Sequence, residues 1–205
     1  MVTVTHGREL TNARMRRLLL ALEAVIGRAG LMTILRQARL HRFTGDLPQY
    51  NRELRLHAAE YSGVIQAVES YFGRGARGTL IRVGRGVFDQ LLVHQRWQAL
   101  QYRVAFLTQP PAARMQRALA WLADELAQPN GHVEVLNALH GLILVDHESD
   151  GVFGRRREAP GCWLTVGKIQ AAIFWATGQE HDVVETECKG AGAAACRFEV
   201  RELRP

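Results

Sequence analysis

Apolar residues recur every three to four positions through the first ~130 residues of the chain, which is helical spacing. Thr11 can cap a helix over 12–29, with Leu18, Leu19, Leu22, Val25 and Ile26 on one stripe and Gly30 as its stop. A shorter helix is predicted over 32–40, then a loop at Phe43-Thr44-Gly45-Asp46-Leu47-Pro48. Helix is predicted again from about Arg52 to Phe72, where Leu56, Ala59, Gly63, Ala67 and Ser70 are spaced for packing. After a glycine-rich break, 80–107 reads as mostly helical, and Pro110-Pro111 starts an amphipathic helix carrying Met115, Leu119, Leu122 and Leu126.

Near Pro129-Asn130-Gly131 the period changes. Residues 132–145 suit two strands with a tight turn around His140-Gly141. A polar loop over 146–161 follows, then a helix over 163–177 ended by Gly178. Two strands, 181–188 and 194–201, close the chain around a Gly/Ala-rich connection. Many helices followed by β-β-α-β-β predict an α+β fold with an antiparallel sheet. The whole chain, 1–205, reads as one domain, with residues 1–50 as a helical N-terminal arm.

Composition adds exclusions more than assignments. At 47% apolar and 22% charged the chain is globular. No uninterrupted apolar run approaches the ~18 residues of a membrane span, and the N-terminus lacks the apolar core of a signal peptide, so a cytoplasmic protein is expected. The net charge of +6 is almost all arginine, since Lys168 and Lys189 are the only lysines. The arginines are scattered, with one run at Arg155-Arg156-Arg157, so nucleic-acid binding is not expected. Gly73-Arg74-Gly75-Ala76-Arg77-Gly78 fits a dinucleotide-binding pattern, but helix rather than strand precedes it, so it is expected to be a helix end and a restart.

The candidate chemistry sits in the three cysteines, Cys162, Cys188 and Cys196. An odd number argues against a secreted disulfide framework. Zinc takes four ligands, preferring thiolates with few nitrogen or oxygen donors. The Gly-rich segment between Cys188 and Cys196 can fold both sulfurs onto one ion, and Cys162 opens a helix whose dipole favours its thiolate. Glu185, Glu187 and His181 are the nearby candidates for a fourth ligand. The alternative is three thiols acting as small buried hydrophobes. Glu185 and Cys188 are an odd number of residues apart, so a regular strand would point them to opposite faces.

Gly161-Cys162-Trp163-Leu164-Thr165-Val166-Gly167, the helix to Gly178, Glu185-x-Glu187-Cys188 and Cys196 resemble the C-terminal half of the 4-vinyl-reductase (V4R) domain family, best over residues 130–201. That family includes a bacteriochlorophyll-synthesis protein and the sensory domains of phenol-responsive activators. The resemblance implies a zinc ion held by Cys162, Glu185, Cys188 and Cys196; the odd spacing of Glu185 and Cys188 keeps Glu187 in reserve. Such a four-ligand site is structural, stapling helix to hairpin. The resemblance also implies a fold similar to transport-particle (TRAPP) subunits, a cavity for a small hydrophobic or aromatic ligand, and a homodimer formed through N-terminal helices. Val166, Ile169, Ile173 and Ala176 are the expected cavity lining, with His140 and His147 as polar anchors. The expected function is a zinc-stabilised binding or sensor module. The alternatives are a carrier or reductase in bacteriochlorophyll metabolism and a protein-interaction subunit. No hydride source or catalytic constellation is legible, so enzymatic activity is not expected.

Overall fold

A computed structural model describes residues 8–138 and 141–202. Its elements run β1 (Glu9–Thr11), α1 (Asn12–Gln37), β2 (Leu54–His57), α2 (Ala58–Phe72), α3 (Ala76–His94), α4 (Arg96–Phe106), α5 (Pro111–Ala127), β3 (Val133–Ala138), β4 (Gly141–Asp146), α6 (Trp163–Thr177), β5 (His181–Glu187) and β6 (Cys196–Glu202). Strands β1 and β2 form a small antiparallel ribbon, and the other four form an antiparallel sheet in the order β3-β4-β6-β5. The fold is α+β, as the pattern predicts. His140, in the predicted hairpin turn, lies outside the described residues.

The local signals place several ends well. The Thr11 hydroxyl accepts from the Arg14 amide at 3.3 Å and caps α1. Pro111 opens α5, where its missing N–H costs nothing. Gly178, at φ 74°, ends α6 in a left-handed turn that a side chain would strain. The glycine-rich segment caps α2 and restarts the chain as α3.

Two expectations change. The break in the first helix falls at Gly27, whose φ of 73° needs a glycine, and not at Gly30; helix then continues to Gln37. The helix expected from Arg52 begins only at Ala58, because residues 54–57 pair with β1 (Leu10 opposite Leu56). That pairing joins segments distant in sequence, and no local propensity announces it. Glu60 marks the true helix start: its carboxylate accepts from the His57 amide at 3.0 Å.

Helix α1 is long and apolar enough to cross a membrane by length and composition alone. In the structure it is kinked, and Leu18, Leu19 and Leu22 are fully buried in a core with α2 and α3. The stripe considered for dimerisation is thus packed inside its own chain, with Val25 and Ile26 half-buried beside it. A second core joins the end of α3, α5, α6 and the inner face of the sheet, including Leu144 and Phe198. Instead, the exposed apolar stripe lies from the end of α3 along α4: Val93, Trp97, Leu100, Val104 and Leu107.

Helices α3 and α6 cross almost backbone to backbone. A β-carbon at Gly84 would stand 2.1 Å from the Leu164 carbonyl oxygen, and one at Gly167 would stand 2.1 Å from that of Ile81. Neither neighbour is a flexible side chain, so neither can give way cheaply. Gly167→Ala is predicted to cost about 3 kcal/mol of stability by overpacking, measured by urea denaturation, whereas Gly63→Ala, with open space around it, should be neutral or slightly stabilising.

Candidate metal centre

Three structural elements bring four side chains together. Cys162 is the residue before α6, where its carbonyl accepts from the Thr165 and Val166 amides. Cys188 directly follows β5, and Cys196 begins β6. Between them runs a 3-10 turn, Lys189–Ala191, and Gly192 at φ 100°. The Ala191 and Ala193 amides both donate to the Cys188 carbonyl, folding the chain back sharply.

The parity problem in β5 is solved by a bulge. Glu185 pairs with Phe198 and Glu187 with Arg197, so Thr186 is the extra residue. The bulge turns Glu187 outward and rotates Cys188 onto the face that Glu185 already occupies. Glu185, Cys162, Cys188 and Cys196 are all buried, whereas Glu187 is exposed. His181 sits at the far end of β5, its Nδ1 near the Gln179 carbonyl, outside the cluster.

The three sulfurs form a near-equilateral triangle with edges of 3.8, 3.8 and 4.0 Å. A disulfide would need about 2.05 Å. A tetrahedral ion with metal–sulfur bonds of about 2.3 Å sets its sulfurs about 3.8 Å apart. Glu185 Oε2 accepts from the Cys162 amide at 2.6 Å, while Oε1 is buried with no hydrogen-bond partner. All four ligand atoms lie within 4.8 Å of one another. A buried, unpartnered oxygen beside three sulfurs is where a fourth ligand belongs, so the residues fit a closed four-ligand zinc ion.

The electrostatics follow from crowding. Hydrogen bonds to Cys188 and Cys196, then burial, push the Cys162 thiol well up. Hydrogen bonds from Cys162 and Cys196 pull Cys188 down to about 2. Cys196 is drawn down by Cys162, but its hydrogen bond to Cys188 and its burial outweigh this and leave it at about 12. Burial also raises Glu185, against the hydrogen bonds from Cys162. A dication beside the sulfurs would offset this crowding and favour the ionised forms. The Lys189 amide points at Cys196 Sγ at 3.3 Å, adding a donor to that sulfur. The arginine run also has a structural role here: Arg155 and Arg157 clamp Glu69 of α2, and Arg157 packs against Gly161 and Gly190 beside the cysteines.

The expected cavity lining behaves differently. Val166, Ile169, Ile173 and Ala176 are packed into the cores. A small, partly open cavity of about 20 Å³ lies instead among Arg14, Arg17, Val87, Phe88, Leu91, Leu122, Glu125, Leu126 and Lys168. That is room for about one water. Arg14 is committed to Asp150 at 2.6 Å and to two carbonyls, and Arg17 to Glu125 at 2.9 Å. Lys168, buried on α6, has the Tyr61 hydroxyl at 3.2 Å. Sequence reasoning missed this residue because a lysine inside an apolar helix looks like a surface position; its being one of only two lysines was the available signal.

No family model matches the chain, and no curated protein matches it. Solved structures do. An H-NOX protein from S. oneidensis in the Fe(II)NO ligation state is 12% identical, with a TM-score of 0.57 over 91% of this chain and 99% of that one. An H-NOX protein from K. algicida is 9% identical, with a TM-score of 0.60 over 95% and 97%. The phenol-responsive sensory domain of the transcription activator PoxR, with phenol, is 17% identical, with a TM-score of 0.51 over 72% and 75%. At these identities the likeness is one of fold. H-NOX neighbours carry haem, which needs an axial donor and a large slot. None of the described histidines is buried, and the cavity is lined by no histidine, cysteine, methionine or tyrosine. The residues at this cavity do not fit a haem.

Elemental analysis of purified protein should give about one zinc per chain. Glu185→Gln is predicted to weaken zinc retention against a chelator at least tenfold, and Glu187→Gln to leave it unchanged. Equal effects of the two would show that the bulge does not choose the ligand.

Proposed function

We propose that this protein is a small-molecule sensor of the V4R type, in which a zinc ion on Cys162, Glu185, Cys188 and Cys196 holds the frame around a ligand cavity. The observation that carries this reading is the fold, which is shared with a phenol-responsive sensory domain and with H-NOX proteins. The cysteine–glutamate cluster supports the zinc half of it, because four protein ligands leave no open coordination position for substrate. The ion would act as a staple, not as a Lewis acid.

The cavity supports the ligand half. Val87, Phe88, Leu91, Leu122 and Leu126 supply apolar surface, and Lys168 supplies a polar anchor, the usual division in a ligand pocket. At about 20 Å³ it is smaller than an aromatic ring, so binding must part the helices around it. A ligand that binds only the parted state shifts the population toward it, which is what a sensor requires. Output would pass through a second copy. On α4 and its cap, Trp97, Leu100, Val104 and Leu107 recur at intervals of three, four and three, the spacing of a coiled-coil seam. We therefore place the homodimer on α4, since the α1 stripe is used inside the chain.

Native mass spectrometry of freshly purified protein should show one bound hydrophobic molecule. If the protein is isolated empty, a panel of phenol and larger aromatics should raise its melting temperature, and Leu122→Trp, which fills the cavity with an indole, should abolish the rise. No bound species and no shift across the panel would end the sensor reading. In light scattering the chain should be a dimer, and Trp97→Glu with Leu100→Glu should make it monomeric; a monomeric wild type would refute the α4 seam.

A further inference from the structure

A second cluster of ligand-type side chains lies at the open end of the β3-β4 hairpin. Val133 pairs with Asp146, and one step further the His147 amide donates to the His132 carbonyl at 3.0 Å. His132 and His147 are therefore cross-strand neighbours. Glu134, two residues on from His132, falls on the same face of the sheet. The two imidazoles stack with centroids 4.6 Å apart and planes 7° from parallel. His147 Nε2 is 2.9 Å from Glu134 Oε1. One nitrogen from each histidine and one carboxylate oxygen all lie within 4.8 Å of one another. His132 is exposed and the other two are half-buried, so an ion can reach them from solvent.

We propose that His132, Glu134 and His147 form a solvent-facing site for a divalent transition-metal ion, separate from the cysteine cluster. Two imidazoles and a carboxylate are the donor set that suits zinc, nickel and copper, with copper the tightest. Metal–nitrogen and metal–oxygen bonds of about 2.0–2.1 Å set neighbouring ligands of one ion about 2.9–3.4 Å apart. The His147–Glu134 separation already falls in that range, so an ion would replace a shared proton with little movement. His132 would need to turn its ring out of the stack. Three protein ligands leave positions open, in contrast to the closed cysteine site, so water or a partner's donor could complete the shell.

The two sites are linked through Lys189. Its amide points at Cys196 Sγ at 3.3 Å, and its ammonium donates to the His147 carbonyl at 2.5 Å. An ion on the histidines would also tie together the hairpin end that leads into the loop carrying Cys162. The polarity of the pair differs: soft, buried thiolates on one side of Lys189 and borderline, accessible imidazoles on the other.

The test uses untagged full-length protein whose cysteine site has been loaded with one equivalent of zinc. Titration calorimetry with Ni²⁺ should show one further equivalent bound, and the imidazole resonances of His132 and His147 should broaden in NMR spectra. His132→Ala and His147→Ala should each lower Ni²⁺ affinity at least tenfold, and Glu134→Gln should lower it less. His181→Ala, which removes a histidine outside the cluster, should have no effect. Circular dichroism checks that each variant is folded. The proposal is overturned if no Ni²⁺ binds, if the double variant His132→Ala/His147→Ala binds as tightly as wild type, or if Ni²⁺ uptake is matched by zinc release from the cysteines.

Discussion

Helix α6 can sit where it does only because Gly84 and Gly167 let it lie backbone to backbone against α3. Any side chain at either position would run into a carbonyl oxygen and push the helices apart. The cysteine cluster and the cavity both depend on that placement. The N-terminal end of α6 presents Cys162 to the sheet, its middle presents Lys168 to the cavity, and its inner face fills the second core with Ile169 and Ile173. The aromatic group of Phe88, Tyr102, Phe106, Trp121 and Trp175 closes the far end, with ring centroids 5.1–6.4 Å apart.

The cysteine cluster and the cavity divide the work on that helix. Three sulfurs share hydrogen bonds in a buried space, and those bonds, with burial, push Cys162 and Cys196 up while they pull Cys188 down. The arrangement is costly as a set of thiols and favourable as a ligand set, since a dication repays the crowding. The cavity has the reverse character. Its cations Arg14 and Arg17 are held by Asp150 and Glu125, and its volume is close to that of a single water. The likeness to a phenol-responsive domain and to H-NOX proteins is one of fold, and a fold does not fix what its interior holds. Here that interior is lined by leucines and cations, not by an axial donor for haem.

Some elements were legible because their signals are local. Thr11, Pro111 and Gly178 act through their own hydroxyl, ring and missing side chain, so the ends of α1, α5 and α6 could be read directly. The hairpin over 133–146 and the final pair of strands follow from alternation and turn composition. The β1-β2 ribbon was hidden, because Leu54–His57 becomes a strand only by meeting Glu9–Thr11 some 45 residues earlier, a loop closure that local propensity does not encode. The same limit applied to α1, whose apolar stripe looks alike whether it faces its own core or a second chain.

The sequence by itself determined the α+β class and the three cysteines that can converge on one ion, since residue type and spacing limit which donors can meet. It could not choose between Glu185 and Glu187. The difference between them comes from the bulge at Thr186, which leaves Glu185 buried beside the sulfurs and Glu187 exposed. Nor could it tell that the inner face of α6 is solid core and that Lys168 looks into the cavity. Which side of a helix meets space and which meets another helix is fixed by how closely the backbones approach, and that distance exists only in the folded molecule.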